Sequence, residues 1–93
     1  MSIEHEFGDI DTAIKELGRL GFSLNGFVQE KYRVVPREIP DDYPTMINSK
    51  KPRAFAFVTV RGTLIIDEIP DQNPVLIRYK EMLTDGLTER MKK

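Results

Sequence analysis

The chain has 93 residues, of which 40% are hydrophobic and 31% are charged, and its formal net charge is −1. A chain of this length buries about 60 to 65 per cent of its unfolded surface, which suits one core and excludes two separate ones. The absence of cysteine excludes disulfides, thiolate catalysis, zinc ribbons and iron–sulfur clusters. We therefore expect residues 1–93 to form a single small globular domain.

The first residues, MSIEHEFGD, contain neither the basic nor the apolar segment of a signal peptide. The chain also has no run of about 20 apolar residues, the length that crosses a bilayer. We expect a soluble, cytoplasmic protein that does not contact a membrane. The segment around His5 is predicted to fray, as chain ends often do.

The first helix is predicted from Asp11 to Leu20. Apolar residues recur there at helical spacing, and acidic residues precede them, where they suit the positive end of the helix dipole. Gly21 then lies where helices often end. A half-exposed strand is predicted from Phe27 to Val35, because apolar and polar residues alternate over FVQEKYRVV.

The segment 36–53 contains prolines at intervals and no sustained period, so it is predicted to be a long proline-rich loop. Two β-rich runs follow, AFAFVTV and TLIIDEI, separated by Arg61 and Gly62. A glycine between two such runs is typical of a β-hairpin.

The second helix is predicted after Asn73, which can act as its N-cap, with Pro74 at the first helical position. Asp85 and Gly86 are expected to break or bend it. The element order is therefore α-β-β-β-α. It predicts an α+β fold, in which two helices pack mainly on one face of a three-stranded antiparallel sheet.

Two stretches read almost alike, EIPDDYP at Glu38 to Pro44 and EIPDQNP at Glu68 to Pro74. The favoured interpretation is shared turn chemistry, in which a strand ends at proline and a helical turn begins. It predicts a short helical turn over DDYPTMIN. An internal duplication and a binding motif used twice are the alternatives.

No catalytic constellation is recognisable, so we expect the protein not to be an enzyme and to hold no cofactor. The single histidine has no oriented partner, and no serine lies in a nucleophile elbow. The acids of the two EIPD stretches could meet at a hard-cation site, but their spacing is not that of a calcium loop, and we predict no metal.

A nucleic-acid-binding domain is the alternative function. The stretch NSKKPRAF brings Lys50, Lys51 and Arg53 together, and Arg61 lies at the predicted hairpin tip. Such bases can hold phosphates, and the element order α-β-β-β-α is also that of double-stranded-RNA-binding domains.

The leading hypothesis is a non-enzymatic protein-interaction or regulatory module, either a homodimer or a small subunit of a larger assembly. The predicted hairpin is apolar on both faces, with Phe55 and Phe57 on one side and Val58 on the other. Two helices cover only one face, so the second face needs the long loop or a partner. The candidate contact residues are Phe55, Phe57, Val58 and Ile65, and the partner is another protein or a second copy.

Overall fold

A computed structural model describes residues 3–66 and 72–91 of the chain. The elements are β1 (Ile3–Glu6), α1 (Ile10–Arg19), β2 (Phe22–Val28), β3 (Lys31–Pro36), β4 (Ala56–Thr59), β5 (Thr63–Ile66) and α2 (Pro74–Met91). The predicted α+β class is confirmed. The predicted three-stranded sheet is wrong in detail, because the antiparallel sheet has five strands.

The strands lie in the order β1-β5-β4-β3-β2, and every neighbouring pair is antiparallel. The four strands β2 to β5 follow one another as a meander, and β1 adds to the free side of β5. The predicted hairpin is confirmed as β4 and β5. β2 forms one edge of the sheet, and an irregularity between Leu24 and Phe27 interrupts its pairing with β3. Such bulges discourage edge-to-edge association.

The strand predicted from Phe27 to Val35 is wrong, because the chain reverses in its middle. Gln29 and Glu30 have φ angles of 53° and 66° and connect β2 to β3. Two consecutive positive φ values are those of a type I′ turn, which normally uses asparagine and glycine. Two ordinary long side chains occupy these positions, so the sequence carries no turn signal there.

Both helices cover the same face of the sheet. The core on that face contains Val34, Ala56, Val58, Leu64 and Ile66 from the strands. The helices contribute their own buried side chains to the same cluster, namely Ala13, Leu17, Leu76, Leu83 and Leu87. The predicted placement of the helices agrees with this core.

Helix α1 begins one residue before the predicted start. Asp9 is its N-cap, and the Asp9 carboxylate accepts a hydrogen bond of 2.7 Å from the backbone N–H of Thr12. This hydrogen bond lowers the pKa of Asp9, since it stabilises the charged form. Gly62 lies beneath this helix start, and a Cβ there would clash with the Asp9 backbone carbonyl. A glycine in the β4–β5 turn therefore lets the helix begin against the sheet.

Helix α2 begins as predicted. Asn73 Oδ1 accepts hydrogen bonds from the N–H groups of Val75 and Leu76, at 2.9 and 3.3 Å. The predicted break at Asp85 and Gly86 is wrong, because the helix continues to Met91. A Cβ on Gly86 would lie 2.8 Å from the Leu20 side chain. Gly86 thus lets the helix lie close to the end of α1 and does not end it.

The predicted helical turn over DDYPTMIN is also wrong. Residues 44–53 form a small hairpin, which we call the loop hairpin, with a β-bridge between Thr45 and Pro52. Met46 N donates to Lys51 O at 2.9 Å, and Arg53 N donates to Pro44 O at 3.0 Å. Residues 68–71, most of the second stretch, lie outside the described residues, so the structures of the two stretches can be compared only at their last three residues.

Among the described residues, neither helix combines the length and the apolar character needed to cross a bilayer.

Candidate functional site at the open face of the sheet

The face of the sheet that points away from the helices is called here the open face. Directly paired residues of neighbouring antiparallel strands point to the same side. The register therefore places Glu4, Ile65, Phe57 and Arg33 in one row across four strands. A second row, nearer the turns, contains Glu6, Thr63, Thr59 and Lys31.

The loop hairpin covers part of the open face. Val35 and Arg33 point away from the helices, yet their exposed fractions are only 2% and 4%. Met46, Arg53 and Ala54 line a depression of about 240 Å³ together with side chains of the open face, among them Arg33 and Phe57. The long loop thus folds back over the β2 and β3 side of this face.

Arg33 fixes the loop hairpin to the sheet. Its guanidinium donates to Asn25 O at 2.9 Å and to Asn25 Oδ1 at 3.2 Å, both in the irregular part of β2. It also donates to Pro52 O in the loop hairpin. These three acceptors are neutral, so Arg33 carries its charge into a nearly buried site. Buried charged groups that keep several hydrogen bonds hold their neighbours in one arrangement.

Tyr43 holds the other side of the same loop. Its ring is buried in the helix-covered core and lies 5.7 Å from the ring of Tyr79. Its hydroxyl donates a hydrogen bond of 2.5 Å to Arg53 O. Burial, with a smaller contribution from Tyr79, raises the pKa of Tyr43 to about 12. The loop is therefore anchored on both sides of the sheet.

The rest of the open face stays accessible and is called here the uncovered half. Phe57 and Ile65 lie half-buried at its centre. Val28 and Val60 border it near the turns, and their exposed fractions are 50% and 54%. A shallow groove of about 770 Å³ runs over this region, lined by residues that include Ile65, Thr59 and Val60.

The two rims of the uncovered half carry charges of opposite sign. Glu4 and Glu6 lie on edge strand β1, and Glu6 Oε1 accepts a hydrogen bond of 2.5 Å from Thr63 Oγ1. Lys31 lies on β3, at the opposite side of the second row, whereas Arg33 on the same strand is covered by the loop hairpin. The surface therefore passes from acidic through apolar and hydroxyl side chains to basic.

The structure separates the four residues predicted to contact a partner. Phe57 and Ile65 lie on the open face. Val58 is fully buried in the helix-covered core, and Phe55 is in the same cluster, where its ring lies 5.5 Å from Phe22. The expectation that Phe55 shares a face with Phe57 is wrong, because the chain bends at Phe55 before β4 begins. A partner on the open face reaches only Phe57 and Ile65 of this set.

The four predicted nucleic-acid-binding residues do not form one patch. Lys50 and Lys51 are exposed at the tip of the loop hairpin, and Arg53 lies at its base. Arg61 lies in the β4–β5 turn, so strand β4 separates it from the other three. Arg53 and Arg61 therefore lie beyond opposite ends of β4.

The described part of the chain contains no cluster of three or more histidine, cysteine or acidic residues that could hold a metal ion. Glu38, Asp41 and Asp42 lie in the loop before the loop hairpin. The other predicted acids, Asp67, Glu68 and Asp71, fall outside the described residues. His5 lies in β1, so the prediction of a frayed segment there is wrong.

The sequence reasoning missed the charged rims. The acidic rim is indicated by the alternation in IEHE, which places Glu4 and Glu6 on one face of a strand. The basic side, Lys31 and Arg33, was visible as a face of the predicted strand. Its opposition to β1 depends on β1 joining β5, which no local pattern in the chain indicates.

Comparison of the chain with models of protein families, with curated proteins and with solved structures gave no match.

Proposed function

We propose that this protein is a non-enzymatic protein-interaction module that associates with a second copy of itself through the uncovered half of its sheet. The observation that carries this proposal is the incomplete cover of the open face. The loop hairpin covers Arg33, but it leaves Ile65, Val28 and Val60 accessible. Contiguous exposed apolar surface on a small protein is characteristic of an interface.

The charges around this surface favour a second copy over an unrelated partner. A surface that is acidic at one rim and basic at the other can be complementary to itself. A symmetric dimer uses the same patch on both subunits, so the patch has to be complementary to itself. A partner of one charge sign would be attracted by one rim and repelled by the other.

The proposal is tested with Ile65→Lys, measured by size exclusion with light scattering over a range of protein concentrations. We expect the wild type to form a dimer and Ile65→Lys to remain a monomer, because the substitution places two charges in the apolar centre of the interface. Ile14→Lys is the matched control, since Ile14 is 50% exposed on α1, away from the open face. It should leave the dimer intact.

Circular dichroism of all three proteins shows whether each is folded. A wild type that stays monomeric at every concentration would contradict the proposal, as would a folded Ile65→Lys variant that dimerises like the wild type.

Nucleic-acid binding is the second candidate, and the exposed lysines at the tip of the loop hairpin favour it. It would appear as binding that weakens steeply with salt and disappears when Lys50 and Lys51 are both changed to glutamate. The separation of Arg61 from these lysines makes a continuous phosphate-binding surface less favourable.

A further inference from the structure

A groove runs between α1 and the outer edge of β2, on the helix-covered side of the sheet. It encloses about 310 Å³ and is lined by residues that include Ile14 and Gly18 of α1, Phe22 and Leu24 of β2, and Arg37. Ile14 is 50% exposed and Leu24 is half-buried, so apolar side chains are accessible in the groove. Among the lining residues, Arg37 alone is charged. The groove is therefore apolar along its length and basic at one place.

The edge of β2 beside this groove carries unpaired backbone groups. Within residues 3–66 and 72–91, β2 has a neighbour only on its β3 side. Arg37 N donates to Gly21 O at 2.9 Å, so the carbonyl of Gly21 points towards β3. Backbone groups of successive strand residues alternate between the two edges, so Ser23 also points towards β3. The N–H and C=O groups of Phe22 and Leu24 therefore point outwards.

The usable part of this edge is short. An irregularity follows Leu24 and interrupts the pairing of β2 with β3 up to Phe27. Long, regular edges merge with other sheets, and bulges prevent this. A regular edge of three residues accepts a short extended segment instead. A peptide that adds to an edge as a strand is held by backbone hydrogen bonds, and pockets for its alternate side chains give specificity.

Arg37 determines the direction of such a peptide. Its guanidinium donates to Gly18 O at the end of α1, and a Cβ on Gly18 would lie only 3.2 Å from Arg37 Nη2. Because the Arg37 backbone is also bound to Gly21, its charge lies where β2 begins. A peptide antiparallel to β2 ends at this place, so its terminal carboxylate meets the guanidinium. A parallel peptide would bring its cationic amino terminus there.

The pairing also determines which peptide side chains enter the groove. Directly paired residues of antiparallel strands point to the same side. When the last peptide residue pairs with Phe22, the third-last residue pairs with Leu24, and both side chains point into the groove beside Ile14. The N–H of Phe22 then donates to the terminal carboxylate. The second-last side chain points to the opposite side, where the groove does not select it.

We propose that the groove between α1 and β2 binds the C-terminal end of a partner protein as an added antiparallel strand. The last and third-last residues of the partner are apolar, and its free carboxylate binds Arg37. A guanidinium has five N–H donors, so the contact with Gly18 O leaves donors for the carboxylate. This surface is separate from the open face, and the proposal does not depend on self-association.

The first test uses a pool of hexapeptides with a free carboxylate and with valine, leucine, isoleucine or phenylalanine at the last and third-last positions. Added to isotope-labelled protein, the pool should shift the amide proton resonances of Phe22 and Leu24 downfield, because both N–H groups gain a hydrogen-bond acceptor. The tightest-binding peptide of the pool then gives a dissociation constant. Its C-terminal amide should bind at least about tenfold more weakly, since it lacks the charge that Arg37 recognises.

A second test examines the backbone pairing with two modified forms of the same peptide. N-methylation of the third-last residue removes the N–H that donates to Leu24 O, and we expect the dissociation constant to rise about tenfold. N-methylation of the second-last residue is the matched control, because that N–H points away from β2. It should leave the affinity unchanged. Equal losses from the two modifications would contradict the added strand.

Variants of the protein test the groove itself. Arg37→Gln should weaken binding of the free carboxylate about tenfold and leave binding of the amide unchanged. Arg61→Gln is its control, since Arg61 is exposed in the turn beside Gly62, beneath the opposite end of α1. Ile14→Glu should also weaken binding, because it brings a carboxylate into the apolar groove. Circular dichroism checks that each variant is folded.

The outcomes keep this proposal distinct from self-association. Ile65→Lys should bind the peptide as the wild type does, because Ile65 lies on the other face of the sheet. No shift at Phe22 or Leu24 with the pool at millimolar concentration would overturn the proposal. So would equal binding of the free carboxylate and the amide, or shifts confined to Ile65 and its neighbours on the open face. None of these three results bears on whether the protein dimerises.

Discussion

The two faces of the sheet are covered to different extents. On the helix-covered face, side chains from the strands and from both helices close a continuous core, and Val58 and Leu64 are fully buried. On the open face, one loop hairpin covers the β2 and β3 side, and the neighbouring Phe57 and Ile65 are only half-buried. The comparison indicates that the first face determines folding, while the second still has apolar surface available for another molecule.

The largest expected effect separates the two faces at adjacent residues. Leu64→Ala should lower the free energy of unfolding by about 2 to 5 kcal/mol, because it leaves a cavity in a close-packed core. Ile65 points to the open face instead. Ile65→Ala should therefore lower the free energy of unfolding of the monomer by about 1 kcal/mol or less, mainly through lower strand propensity. Urea unfolding of both variants at a protein concentration below the dimer range measures the difference.

Equal losses at the two positions would show that the open face is already closed within one chain. The division of the sheet into a folding face and a binding face would then be wrong.

A smaller effect is expected at high pH, where Tyr43 links the loop to the core. Its pKa is raised from 10.0 to about 12, so the folded state prefers the neutral hydroxyl. The contribution of the neutral Tyr43 hydroxyl to the free energy of unfolding is complete below pH 10. It declines as the pH rises towards about 12, because Tyr43 loses its proton more easily in the unfolded chain. Thermal unfolding between these pH values should show the decline.

Tyr43→Phe is the control for this titration. It lacks the ionisable hydroxyl and the hydrogen bond to Arg53 O, so it should be less stable at neutral pH and lose less stability with rising pH. The same alkaline loss in Tyr43→Phe would assign the effect to other groups.

The sequence predicts the parts of this fold that depend on local chemistry. Asn73 and Pro74 mark the start of α2, the glycine of the β4–β5 turn marks the hairpin, and apolar spacing marks α1. The sequence fails where tertiary contacts prevail over local preference. Gln29 and Glu30 adopt a turn that their side chains do not favour. Gly86 lies inside α2, where the lack of a side chain leaves room for Leu20 to pack against the helix.

The candidate site was predictable only in part. The alternation of the hairpin indicates that Ile65 and Phe57 share a face, and the neighbouring core residues point the other way. The two rims could not be found locally, because Glu6 and Lys31 lie at opposite ends of one row only when β1 joins the far side of the meander. The loop hairpin is held by the Tyr43 hydroxyl next to its base and by Arg33, which lies on β3 and is distant from it in sequence.

The central claim is that the uncovered half of the open face, and no other surface, binds a second copy. Methyl resonances recorded while the wild-type protein is diluted test it most directly. We predict concentration-dependent shifts for Ile65, Val28 and Val60, and none for Ile14 on α1 or for the core residue Leu83. Shifts confined to Ile14, or no shift at any methyl group, would contradict the account.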